Sequence, residues 1–219
     1  MTQPCRLLLF ATVLVMLLPG GGWAADTGAG PPAEQVTGAA QSPARLFGLG
    51  KQEIGIVVGH GLAIPIGRTT DDELRDVRYI YAAPRWGIGI SDPMGGDAWY
   101  RGNLELLAEG TFIVNFEPKG GFGAGLTALF RYNFLPEGKF IPFVEAGGGI
   151  LFLDMDFMNR SDDLNFNPQA GLGFHYFISE RTAFTGEWRW QHISNGGIKE
   201  PNRGINSSLF TIGVSIFLE

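Results

Sequence analysis

From Glu53 onward the chain alternates apolar and polar residues with a period of two, the period of a β-strand whose successive side chains point to opposite faces. The pattern predicts eight strands: Glu53–Leu62, Asp76–Ile90, Trp99–Thr111, Phe122–Leu135, Phe140–Phe152, Asn167–Ile178, Thr182–Ser194 and Asn206–Leu218. The fourth opposes Phe122, Ala124, Leu126, Ala128, Phe130, Tyr132 and Phe134 to Gly123, Gly125, Thr127, Leu129, Arg131 and Asn133. The polar faces are rich in glycine and carry Glu105, Glu109, Arg131, Glu145, Glu187 and Arg189, whereas the outside of a soluble barrel would be thick with Lys, Asp and Glu. Strand lengths of roughly 10 to 14 residues suit tilted strands crossing a bilayer, which need about 9 to 11 within the hydrocarbon. Eight strands enclose an interior just wide enough for side chains to fill it. The expected fold is therefore an all-β, eight-stranded antiparallel transmembrane barrel of the outer-membrane type. Small residues and a Glu/Arg network belong inside, and aromatic and aliphatic residues face lipid. Pro84 within the second strand predicts a bulge or edge irregularity.

The connections carry a second pattern. Pro136–Lys139 and Ser179–Arg181 read as short turns and Ser91–Ala98 as a moderate one, while the gaps after strands one, three, five and seven are longer and more polar. Outer-membrane barrels have short periplasmic turns and longer external loops. Both termini are thus expected in the periplasm and the loop between the last two strands at the outer surface.

Ahead of the barrel (residues 48–219) two further segments are expected. Residues 1–25 read as a secretory signal peptide: Arg6, an apolar run from Leu7 to Leu18, then small residues through Ala25. Residues 26–47, rich in Gly, Ala and Pro, read as a flexible linker. Cys5 is the only cysteine and lies in the signal, so disulfides and Cys-based metal sites drop out of the mature chain. The net charge of −6 argues against nucleic acid as a partner.

Candidate chemistry collects in the last hairpin. The even positions Phe184, Gly186, Trp188, Trp190, His192 and Ser194 share a face, as do Asn206, Ser208, Phe210, Ile212, Val214 and Ile216 of the following strand. Closing the hairpin brings His192, Ser194 and Asn206 together at the loop end of an apolar wall. Residues two apart on a strand stand ~6.5 to 7 Å apart, close enough for a Ser–His hydrogen bond that activates a hydroxyl otherwise poorly nucleophilic. The His needs a partner that fixes its tautomer, and Asn206 is the nearest outward residue across the hairpin. His60 and His175 are isolated and read as structural, and no carboxylate or Cys cluster lies near the hairpin, so no metal or other cofactor is expected. Trp188 and Trp190 read first as interfacial anchors, with lipid contact as a second use.

At these residues the sequence resembles the outer-membrane lipid A 3-O-deacylases of the PagL type, also grouped as acyloxyacyl hydrolases. The family pattern is His-x-Ser-Asn near the end of the penultimate strand, an Asn in the loop, and an acid at the start of the last strand. His192, Ser194 and Asn195 match the first part and Asn202 the second, but Asn206 stands where the acid is expected. The resemblance implies Ser194 as nucleophile and His192 as general base of an esterase acting on lipid A or lipopolysaccharide, most simply at the 3-O acyl chain. It also implies Asn202 and backbone N–H groups near Gly197 as oxyanion donors, with Asn195 in support. Asn206 completes a Ser–His–Asn set, with Glu200 the only nearby acid. Lys199 and Arg203 flank the loop at the expected headgroup level and are candidates for lipid A phosphates. The competing class is a noncatalytic small barrel serving adhesion, lipid binding or envelope stability, with a degenerate site. A homodimer is left open by the sequence.

Overall fold

The computed structural model describes residues 42–66, 76–154, 164–198 and 204–218; the expected signal peptide and most of the linker lie outside them. The strands are β1 (Gln52–Ala63), β2 (Arg78–Gly89), β3 (Gly102–Glu117), β4 (Gly121–Phe134), β5 (Phe140–Asp154), β6 (Leu164–Phe166), β7 (Gln169–Phe177), β8 (Thr182–Ile193) and β9 (Ile205–Leu218). Every pairing is antiparallel. The bonded order runs β4-β3-β2-β1-β9-β8-β7-β5, and a β4–β5 pairing closes the ring. β6 and β7 pair with β5 at one constant offset, from Phe152↔Leu164 to Phe140↔Tyr176, so they are a single stave. The break falls at Asn167-Pro168, where proline has no N–H to give the ladder. The barrel thus has the eight staves expected from the alternation.

One parity runs through the whole barrel. The odd residues of each stave point inward, and the exposed large apolar residues of the strands, from Ile54 to Leu218, sit at even positions. Aromatic and β-branched side chains hold the pleated surface that faces lipid. Two expectations are corrected. The third strand starts after Trp99, which lies in a turn and is 87% exposed, and it continues past Thr111 to Glu117. Only Pro118–Gly120 then separates β3 from β4, so this connection is short rather than long. Pro84 causes no bulge: it pairs with Ile56 in register, and the β2–β3 offset is the same on both sides of it, at Ala82↔Phe112 and Arg85↔Glu109. Its missing N–H points to a gap in the ladder opposite Gly110, whereas the register shift lies at Arg78/Tyr79.

The interior is layered. Its middle holds the Glu/Arg network: Arg131 bridges Glu53, Glu145 and Glu187, Arg189 bridges Glu109, Glu145 and Glu187, and Arg85 bridges Glu109 and Glu187. Phe143 lies under the Arg131 guanidinium at 3.9 Å. Toward the β8–β9 loop, Val57, Tyr79, Tyr81, Ile113, Ile193 and Leu209 form an apolar layer. At the other end a short 3-10 helix, Pro43–Leu46, delivers Leu46 and Phe47 against Leu135, Ile141, Phe177 and Phe217. These residues belong to the stretch expected as linker. Two large apolar side chains next to an open barrel mouth give that stretch a reason to dock.

Candidate active site

β8 and β9 pair so that His192 lies directly opposite Asn206, where Cβ atoms stand ~4.5 to 5.5 Å apart. Ser194 follows two positions on, past the last bonded residue of β8. There it is held by β6: Phe166 N–H donates to the Ser194 carbonyl at 2.7 Å, and Ser194 N–H donates to the Phe166 carbonyl at 3.1 Å. His192 N–H donates in turn to the Pro168 carbonyl at 2.9 Å. The break in the β6–β7 stave therefore braces both residues. All three side chains lie at even, outward positions, as expected, yet they are sheltered: Ser194 and Asn206 are each only 8% exposed.

The imidazole bonds to both neighbours at once. Its Nδ1 is 2.9 Å from Asn206 Oδ1 and its Nε2 is 3.0 Å from Ser194 Oγ. Asn206 Nδ2 donates to the Ile66 carbonyl at 2.8 Å, which turns Oδ1 toward His192. The amide oxygen can only accept, so Nδ1 carries the proton and Nε2 offers its lone pair to the Ser194 hydroxyl. That is the tautomer a general base requires. Trp190 lies nearly parallel to the imidazole, with centroids 6.2 Å apart and planes 19° apart.

Two glycine features fit around this set. A Cβ on Gly204 would come within 2.7 Å of His192 Cε1, so only glycine lets the chain enter β9 past the ring. Gly196 and Gly197 have φ of +66° and +79°, which L side chains rarely adopt, and they turn the chain away just after Ser194. Asn195 holds that turn: its side chain accepts from Gly197 N–H at 2.9 Å and its carbonyl accepts from Ile198 N–H at 3.3 Å. The Gly197 N–H expected as an oxyanion donor is thus engaged by Asn195. Asn202, Glu200, Lys199 and Arg203 lie outside the described residues. Glu187, the other acid near in sequence, is buried in the lumen among arginines and does not reach His192's partner position. Trp188 is on the outer wall and donates from Nε1 to Ser208 Oγ at 2.7 Å. Leu172, Phe174, Phe184, Trp188, Phe210 and Ile212 line an open apolar groove of about 700 Å³ on the same wall as the site.

Sequence reasoning did not find Phe166, Pro168, Ile64 or Ile66, which act through backbone groups. The prolines at 65 and 168 were the available signals: Pro65 closes off the first strand and Pro168 breaks the sixth stave.

The family model described as lipid A 3-O-deacylase (PagL) matches residues 75–215. The lipid A deacylase PagL of Pseudomonas aeruginosa is 32% identical over 98 residues, covering 43% of this chain and 54% of that protein, so the match spans about half the relative's length. The crystal structure of the outer membrane enzyme PagL aligns at 20% identity with a TM-score of 0.53, over 75% of this chain and 98% of that one, a likeness of fold. Because the family model takes in well over half of the sequence, this outer-membrane barrel belongs to the PagL family of lipid A 3-O-deacylases.

Proposed function

We propose that the protein is a serine esterase that removes an ester-linked acyl chain, at the 3-O position, from lipid A or lipopolysaccharide. The observation that carries this reading is the single imidazole bonded at 2.9 Å to Asn206 and at 3.0 Å to Ser194, in the tautomer that leaves Nε2 free to accept the serine proton. Ser194 Oγ attacks the ester carbonyl carbon while its proton passes to His192 Nε2. The tetrahedral intermediate collapses by breaking the bond to the sugar oxygen, and that oxygen takes the proton from the imidazolium. Water, deprotonated by the same nitrogen, then cleaves the acyl-serine, releasing the fatty acid and restoring Ser194. Asn202 is the proposed side-chain donor to the oxyanion, and Asn195 supports the loop by holding the turn after the nucleophile.

The substrate enters from the membrane and not from the lumen. Both termini are taken as periplasmic, which brings the β8–β9 loop to the outer leaflet, where lipopolysaccharide resides. The acyl chain then lies along the apolar groove beside Trp188, Phe184 and Phe210, with Trp190 beside the imidazole. Lys199 and Arg203 are proposed to meet the lipid A phosphates. The test is mass spectrometry of lipid A from cells overproducing the protein. The wild type is expected to remove one hydroxyacyl mass and Ser194→Ala to remove none. Loss of that mass in the Ser194→Ala cells would falsify the serine mechanism, and no loss with the folded wild type would leave the noncatalytic barrel as the better reading.

A further inference from the structure

His192 needs an acceptor at Nδ1, and Asn206 supplies one in only one of its two amide orientations. A carboxylate carries no such restriction, because both of its oxygens accept. Turned by 180°, the Asn206 amide would present its NH2 to Nδ1. The imidazole proton would then move to Nε2, which would face Ser194 as a donor and could not act as base. The two ends of the amide are nearly the same size, so packing does not choose between them. The Ile66 carbonyl, 2.8 Å from Nδ2, favours the orientation that turns Oδ1 to His192.

That carbonyl is aimed by a three-residue turn directly after β1. Ile64 N–H donates to the Asn206 carbonyl at 2.8 Å, and Ile66 N–H donates back to the Ile64 carbonyl at 2.8 Å, with Pro65 between them. A turn closed from residue i to i+2 wants a central φ near about −75°, and proline is fixed near −65°. A residue before proline also prefers extended backbone, which suits the Ile64 bond to β9. Pro65 and Ile66 are exposed, Ile66 at 56%, so neither is there to fill the core.

We infer that the Ile64-Pro65-Ile66 turn is a positioning element, with Pro65 its key residue, that makes a neutral asparagine competent in the place where the family pattern has an acid. The inference rests on the Ser194–His192–Asn206 reading. It assigns Pro65 a role through the amide of Asn206 and none in contact with substrate.

A double-substitution comparison on the full chain, refolded in detergent–lipid micelles and checked by heat-modifiable migration, tests it. The wild type and Pro65→Gly, each with and without Asn206→Asp, are compared for turnover of lipid A. The ring-nitrogen NMR signals of His192 are followed in ¹⁵N-histidine-labelled protein and assigned by their loss in His192→Gln. Wild type is expected to carry its proton on Nδ1. Pro65→Gly is expected to raise the Nε2-protonated population and to slow turnover by roughly 3- to 10-fold, the worth of one net hydrogen bond. In the Asn206→Asp background the cost of Pro65→Gly is expected to shrink below about twofold, since a carboxylate has no orientation to lose. Pro65→Ala, which loosens the turn less, should fall between wild type and Pro65→Gly and serves if the glycine variant does not refold. An equal cost of Pro65→Gly in both backgrounds, or an unchanged His192 tautomer, overturns the inference. If no variant hydrolyses lipid A, the esterase reading fails, and the tautomer measurement still decides whether the turn orients Asn206.

Discussion

Replacing Asn206 by Asp changes an amide for a carboxylate of the same shape, 2.9 Å from His192 Nδ1, and the two consequences run in opposite directions. On the proposed mechanism the imidazole has taken the serine proton in the transition state, and a carboxylate beside it would stabilise that charge where an amide cannot. Charge centres ~4 Å apart interact by about 1 kcal/mol in water and about 4 kcal/mol at the effective dielectric of a protein surface. With Ser194 and Asn206 each 8% exposed, the site lies between these limits. A gain of ~1 to 4 kcal/mol corresponds to roughly 5- to 1,000-fold in turnover. The 10⁴-fold penalty of an Asp→Asn change in a serine protease belongs to an amide that holds the wrong tautomer, a loss the Ile66 carbonyl avoids here. Stability moves the other way. The Asn206–Ile66 bond is replaced by two facing acceptors, at a cost of ~1 to 3 kcal/mol. Fatty-acid release from purified lipid A in mixed micelles gives the rate, and tryptophan fluorescence in denaturant gives the stability. A folded Asn206→Asp protein with unchanged or slower turnover would refute Asn206 as the neighbour of the imidazolium.

Further expectations follow from the same geometry. Asn206→Glu restores the acid of the family pattern and should preserve or raise turnover in the same assay. Gly204→Ala places a methyl within 2.7 Å of His192 Cε1 and should displace the ring, costing on the order of 100-fold in turnover with little change in the far-UV spectrum. Arg131→Ala takes the arginine from Glu53 and leaves Glu145 with Arg189 alone in the lumen, and should cost ~3 to 5 kcal/mol, read as a lower denaturant midpoint. Ile212→Arg puts a charge on the lipid-facing wall, where Ile212 is 57% exposed, and should cost up to ~2 to 4 kcal/mol in bilayers.

Most of the barrel was legible because one physical rule, lipid outside and packed lumen inside, is written into every strand as alternation. The rule was obscured at one point of β3. Ile113 faces inward into the apolar layer near the site between lipid-facing Phe112 and Val114, so three apolar residues in a row interrupt the alternation before polar Asn115 resumes the inward face. At Pro84 the rule of missing donors was right but its consequence was not, because an absent N–H interrupts a ladder without having to shift it. The three side chains of the site were legible because they share a parity at a loop end. Their backbone braces were not. The Phe166 bridge to Ser194 lies beyond the break at Pro168, which alternation does not mark, and the Ile66 carbonyl meets Asn206 only across the β1–β9 pairing that joins the two ends of the chain.

β1 and β9 are the first and last strands of the barrel, and their pairing is the seam where the chain meets itself. Asn206 belongs to one side of that seam and Ile64 and Ile66 to the other, so the bond that orients the amide is made across it. A β8–β9 hairpin not yet joined to β1 would already carry serine, histidine and asparagine, but without the Ile66 carbonyl beside the amide. On the proposed mechanism, turnover should rise when the seam forms, and the rate of product release during assembly reports on that event.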